Sequence, residues 1–124
     1  MRLAKWIFLI AGIYGLFLTI PQYFYEPQLV RNFPPALTHP EYFYGFVGVT
    51  LAWQVLFLIL SRDPVRYRLM IFPAILEKVT YGLAMIVLYL QQRAGSFVLF
   101  FGVIDLIFGL LFILAFWNTA SHPN

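Results

Sequence analysis

Four continuous apolar runs, separated by two short connections and a longer proline-rich one at 26–41, organise this chain. The runs cover approximately residues 6–25, 42–61, 70–90 and 97–117. A helix rising about 1.5 Å per residue needs about 20 apolar residues to cross a hydrocarbon core of roughly 30 Å. Each run meets that length. A membrane barrel would instead carry shorter segments of alternating polarity, so strands are not expected. The pattern predicts one domain, an all-α integral membrane four-helix bundle. Its connections are short enough to make neighbouring helices antiparallel.

Composition agrees with an apolar solvent. Of 124 residues, 62% are hydrophobic and 10% charged. A soluble domain carries about 25% charged residues, and this chain lacks the polar side chains to cover a water-facing surface. The first run follows the basic start Met1-Arg2-Leu3-Ala4-Lys5. It is too long for a signal-peptide core and ends in bulky residues 21–25 without a small-residue cleavage site, so it is read as a retained anchor. There is no cysteine, which removes disulfides and thiolate metal sites.

The basic residues fix an expected orientation. Arg2, Lys5, Arg62, Arg66 and Arg68 fall on one side of the spans; Arg31 and Arg93 fall on the other. The richer side is expected in the cytoplasm, with both termini there and the 26–41 connection outside. Trp6 and Trp117 then mark the inner interface, and Tyr23, Tyr25, Tyr42, Tyr44 and Tyr89 the outer one. Asp63-Pro64 reads as a helix cap followed by proline at the first helical position. The outer connection holds Pro27, Pro34, Pro35 and Pro40 among Leu29, Val30, Phe33 and Leu37. It is too apolar for a solvated loop and is expected on the membrane surface or over the bundle mouth.

Glu77, Lys78 and Asp105 change the picture, because they fall inside predicted spans. A charged side chain at a helix centre costs ~2.5–3.5 kcal/mol on insertion scales. These residues must be paired, neutralised or turned to a wet cavity. Counting residues along antiparallel spans brings Lys78 within a lysine stem's reach of Asp105, the preferred pair, with Glu77 as the fallback partner. Gln54 lies at nearly the depth of Glu77, with Thr50 one turn away. Gly102, Asp105 and Gly109 share one helical stripe, and small residues mark close helix approach in membranes. On the third span Ala74 and Tyr81 share a face that Glu77 and Lys78 flank. On the first, Gly12, Gly15 and Thr19 form a second small stripe. The expectation is a buried polar cluster of Gln54, Glu77, Lys78, Tyr81 and Asp105. It is either structural glue that sets helix register, a functional site, or a contact with another subunit.

Other features are weaker. His39-Pro40-Glu41 sets an imidazole beside a carboxylate, but Glu26 is the only other acid nearby, so no metal site is predicted. Arg62, Arg66 and Arg68 are expected to meet anionic lipid headgroups, each contributing about 1 kcal/mol. His122 is expected in solvent. The net charge of +3 arises from cations scattered around apolar runs, which gives no nucleic-acid surface. No Gly-rich loop, haem-type histidine pair or nucleophilic triad is present, so no cofactor is expected and no motif identifies an enzyme.

An acid partway along a glycine-bearing last helix (102–112), with the 73–82 segment before it, is similar to small bacterial four-span proteins of the DoxX-like type. That resemblance covers layout and these two helices. It implies a bacterial cytoplasmic (inner) membrane location and, as for some relatives, an accessory role beside quinone-coupled redox enzymes. The small multidrug exporters, by contrast, depend on an acid in the first span, and here that span has none. Three functions follow as expectations. The first is a non-enzymatic accessory or interaction subunit, in contact with lipids and with other membrane subunits or its own copies. The second is a binder of a lipid, quinone or other amphipathic small molecule near Glu77, Tyr81 and Asp105. The third is an intramembrane isomerase or proton-coupled carrier using the same acids.

Overall fold

The computed structural model describes residues 2–24, 27 and 39–120. Helix α1 (Arg2–Thr19) tightens into a 3-10 turn over Ile20–Phe24. Pro21 lies in that turn and cannot supply an amide hydrogen to continue the α-helix. Helix α2 (Pro40–Arg62) starts with proline at its first position and Glu41 in its first turn, where the helix dipole favours an acid. A short 3-10 turn, Arg68–Met70, leads into α3 (Ile71–Leu90), and α4 (Ser96–Asn118) completes the described chain. Counted with their 3-10 extensions, the four helices are 23 residues each, long and apolar enough to cross a membrane. No strand occurs among the described residues. Residues 28–38 of the proline-rich connection lie outside the described residues, and so does the expectation that this segment covers the bundle mouth.

Asp63-Pro64 does not begin a long helix. Asp63 closes a single turn: its Oδ1 accepts the Arg66 amide at 3.2 Å and its carbonyl accepts the Tyr67 amide at 3.1 Å. Pro64 is buried beneath that turn, and α3 starts at Ile71. The cap was expected to feed a helix directly. The chain uses it instead to reverse direction between α2 and α3.

The end of α3 was not legible beforehand. Gln92 takes a left-handed backbone with φ 60°. Its amide reaches Tyr89 O at 3.0 Å, and the Arg93 amide reaches Leu88 O at 2.8 Å. This is a Schellman closure, in which glycine is the usual left-handed residue.

Helix α1 packs on α2 and α4, and α3 packs on α4, while α2 and α3 meet sparsely. The contacts α1–α2 and α3–α4 are set by small residues. A Cβ on Gly15 would overlap the Gln54 side chain. Gly82 and Gly102 face each other so closely that a Cβ on Gly102 would lie 2.7 Å from Met85 Cβ, and one on Gly82 would lie 2.8 Å from Gly102 O. Both stripes predicted from spacing therefore lie in helix seams.

The starts of α1 and α3 meet the ends of α2 and α4, and we call this the proximal end. It is solid. Phe8, Phe57 and Phe112 are fully buried, with the Phe8–Phe112 ring centroids 4.6 Å apart and Phe57–Phe112 5.0 Å apart. Ala4, Ala11, Ala74 and Ala115 fill the spaces between them. Outward, the helices expose large apolar side chains on every side, Phe17, Leu69, Leu76 and Leu110 among them. An apolar exterior of that extent suits contact with lipid or protein, not water.

Three outcomes check these features, all read as unfolding stability in mixed micelles. Gly102→Leu should cost ~1–3 kcal/mol by overpacking the α3–α4 seam. Gly45→Ala, where nothing lies within 4 Å, should be neutral or stabilising by up to about 1 kcal/mol. Gln92→Gly should stabilise by up to ~1 kcal/mol through relief of the left-handed conformation, unless the added freedom of the unfolded chain offsets it.

Candidate functional site

The buried stripe of α3 is Ile71, Ala74, Lys78 and Gly82. Lys78 thus stands on the packing face itself instead of flanking it, and Tyr81 lies to one side, half-buried. Gly109 of α4 faces this stripe: a Cβ there would press on Val79 Cγ2 at 3.2 Å and make ordinary contact with Lys78 Cβ at 3.6 Å. The Lys78 Nζ donates to Asp105 Oδ1 at 3.5 Å and lies 3.9 Å from Glu77 Oε2. Both partners considered from spacing are engaged together. Beneath the ammonium are the rings of Phe57 and Phe108, 5.2 and 5.4 Å away. Cation–π attraction at that range adds to the ion pairs. The whole arrangement rests on the proximal aromatic core through Phe57.

Above this charged layer the helices part around a half-open cavity. A cavity of about 830 Å³ occupies the distal half, lined from all four helices. Gln54, Glu77, Lys78, Tyr81 and Asp105 all line it, so the five predicted cluster residues share one site. Gln54 is buried; its Nε2 donates to Thr50 O at 2.9 Å and its Oε1 packs over Gly15. Tyr81 stacks on Phe46 with ring centroids 6.2 Å apart, bridging the sparse α2–α3 seam. Thr19, Pro21, Gln22 and Phe97 line the distal reach of the cavity.

Several lining residues were missed from spacing. Tyr14 is the main one. Its ring lies against Phe108 at 5.4 Å, and its buried hydroxyl has no hydrogen-bond partner among the described residues. The pattern places Tyr23, Tyr25, Tyr42, Tyr44 and Tyr89 at the outer interface and Tyr81 in the polar cluster, and assigns nothing to Tyr14, which falls near the middle of its run. A phenol at that depth carries its own desolvation cost, which was the available signal. Phe46, Trp53 and Phe101 carried no signal, because an aromatic residue facing a cavity and one facing lipid read alike.

The remaining predicted groups lie elsewhere. Arg62, Arg66 and Arg68 are at the proximal end and do not line the cavity. Arg68 is tied into the fold: its Nε donates to Phe116 O at 3.2 Å and Thr119 Oγ1 at 3.1 Å, with the guanidinium 3.5 Å from the Phe116 ring centre. It caps the carbonyl end of α4, where a cation suits the helix dipole. Arg62 and Arg66 are exposed. His39 Nδ1 and Glu41 Oε1 are hydrogen-bonded at 2.9 Å on the surface, and the imidazole stacks on Tyr42 at 4.8 Å. No three His, Asp or Glu side chains among the described residues group as metal ligands. Glu26 and His122 lie outside the described residues.

Chemically, the site offers a fixed charge layer, an aromatic wall and a volume within the ~300–1,000 Å³ range of small-molecule pockets. No family model, curated protein or solved structure matches the chain. The site must be read from its own geometry.

The charged layer makes a sharp energetic prediction. Lys78→Met should lower unfolding stability by about 3–5 kcal/mol, since it leaves Asp105 buried without its counter-ion. Adding Asp105→Leu to the same chain should recover much of the loss. A double-mutant cycle measures the coupling, and additive losses would refute it.

Proposed function

We propose that this chain is an integral membrane protein that holds an amphipathic ligand in the cavity between its four helices. The observation that carries the reading is the cavity's position: about 830 Å³ of mostly apolar-walled space opening directly above Lys78, Glu77 and Asp105. A ligand with an apolar body and one polar head matches that layout. An ion-paired register device needs no such volume, and a bundle this small gains nothing in stability from leaving it unfilled.

The bilayer setting draws support from four helices of suitable length and hydropathy and from the exposed Trp6 and Trp117 at the proximal end. Exposed Arg2, Lys5, Arg62 and Arg66 at that end favour cytoplasmic termini, as the positive-inside rule describes. A bacterial inner membrane is the setting that the DoxX-like resemblance implies. Access from the lipid is most direct between α2 and α3, where the Phe46–Tyr81 stack is the local barrier.

An accessory-subunit role draws no specific support from the geometry, because exposed apolar residues are spread over all four helices. An isomerase or carrier would also have to bind its substrate at the two acids, so binding is the step common to the functional readings.

The test uses protein in lipid nanodiscs, with Trp6→Phe and Trp117→Phe leaving Trp53 as the only tryptophan. Amphipathic ligands should quench or shift Trp53 emission saturably and raise the unfolding midpoint. Val98→Phe, which fills part of the cavity from α4 without adding a second tryptophan, should abolish or sharply weaken both effects while the protein stays folded. Saturable binding undiminished by this substitution would refute the reading.

A further inference from the structure

We infer that the ligand's polar head is a cation, a protonated amine carried on an apolar tail. This rests on the ligand-binding reading above and adds the sign of the head group. Among the described residues, the charged groups lining the cavity are Glu77, Asp105 and Lys78, two carboxylates against one ammonium. They are not equally available. The Lys78 side chain is 4% exposed, whereas those of Glu77 and Asp105 are 17% and 14% exposed. The ammonium is held between the carboxylates and the Phe57 and Phe108 rings. An incoming head group therefore meets carboxylate surface, with one acid in excess of the local cations.

Hydrogen-bonding capacity points the same way. Three amide and hydroxyl donors at the cavity wall are spent on their own helices: Gln54 Nε2 on Thr50 O, Gln22 Nε2 on Leu18 O and Thr80 Oγ1 on Leu76 O; the Tyr14 hydroxyl is unpartnered among the described residues and can donate or accept. Acceptors are left over. Gln54 Oε1 and Glu77 Oε2 have no hydrogen bond among the described residues, but both atoms are enclosed, the first against Gly15 and the second 3.9 Å from Lys78 Nζ, so the acceptor surface a head group meets is the remainder of the Glu77 and Asp105 carboxylates. An anionic head would find the single ammonium already enclosed. A carbonyl-bearing head would find the neutral Tyr14 hydroxyl as a donor, a weaker partner than an opposite charge. An ammonium brings donors and a positive charge to a wall that offers acceptors and negative charge, in a setting where charge-assisted bonds are strong. The walls add to this. Tyr14, Phe46, Trp53, Tyr81 and Phe101 surround the space, and aromatic faces favour ammonium groups over neutral or anionic ones.

The experiment compares three probes of matched chain in zwitterionic nanodiscs: dodecylammonium, dodecanol and dodecanoate. Trp53 emission reports binding, and protein-free discs correct for partitioning. The ammonium should bind at least about tenfold more tightly than the alcohol, with dodecanoate weakest. Glu77→Gln, which keeps the Lys78–Asp105 pair, should shrink that preference to about threefold or less. Dodecanol or dodecanoate binding as tightly as the amine would overturn the cationic head while leaving a ligand site standing. A preference untouched by Glu77→Gln would overturn its assignment to this wall. Saturable binding by none of the three would remove both this inference and the reading beneath it. The unsubstituted side chains at the site decide the charge preference even if the Glu77 variant fails to fold.

Discussion

The ammonium of Lys78, buried between Asp105 and Glu77, is the constraint around which this bundle is arranged. A charge in an apolar interior is tolerated only when opposite charge and hydrogen bonds surround it. That requirement fixes the depth of α3 relative to α4, because Asp105 must come within reach of Nζ. It also explains why the seam is narrow. Gly82 and Gly102 let the two backbones approach, and a Cβ on Gly109 would press on Val79. Phe57 of α2 and Phe108 of α4 close the layer from below, so three helices contribute to one electrostatic centre.

That centre divides the molecule. Below it, Phe8, Phe57 and Phe112 with four buried alanines make a dense proximal half. Above it, where α2 and α3 meet only sparsely, the space between the helices is left to aromatic walls. A rigid base with an open upper half is a reasonable design for a binding protein, since the charged floor is held still while the α2–α3 seam has few contacts to break. In the proposed membrane setting the same seam faces lipid, which is where an amphipathic molecule would already be dissolved.

The polar chemistry of the site was largely visible in one dimension, and its shape was not. Glu77, Lys78, Asp105 and Gln54 stand out because charged and amide groups are costly inside apolar runs. The stripes Gly12-Gly15-Thr19 and Gly102-Asp105-Gly109 stand out because helical spacing aligns small residues. Tyr14, Trp53, Phe46 and Phe101 do not, since aromatic residues serve equally well against lipid, core or ligand. Spacing also set Lys78 at the edge of its face when it stands at the centre. It assigned Arg68 to lipid headgroups when its Nε is taken by the end of α4, a contact between residues 48 and 51 positions apart in the chain.

What the order of residues determined alone was the run length, the apolar exterior and the presence of charge at depth. These follow from local rules: helix rise, side-chain hydropathy and the cost of burying an ion. Only the tertiary structure decided that both acids share one lysine, that Asp63 turns the chain instead of starting a helix, and that the distal half parts around a half-open cavity. Those outcomes depend on how four helices approach each other. Such distances are set by packing among residues remote in the chain, and no periodicity along a single helix encodes them.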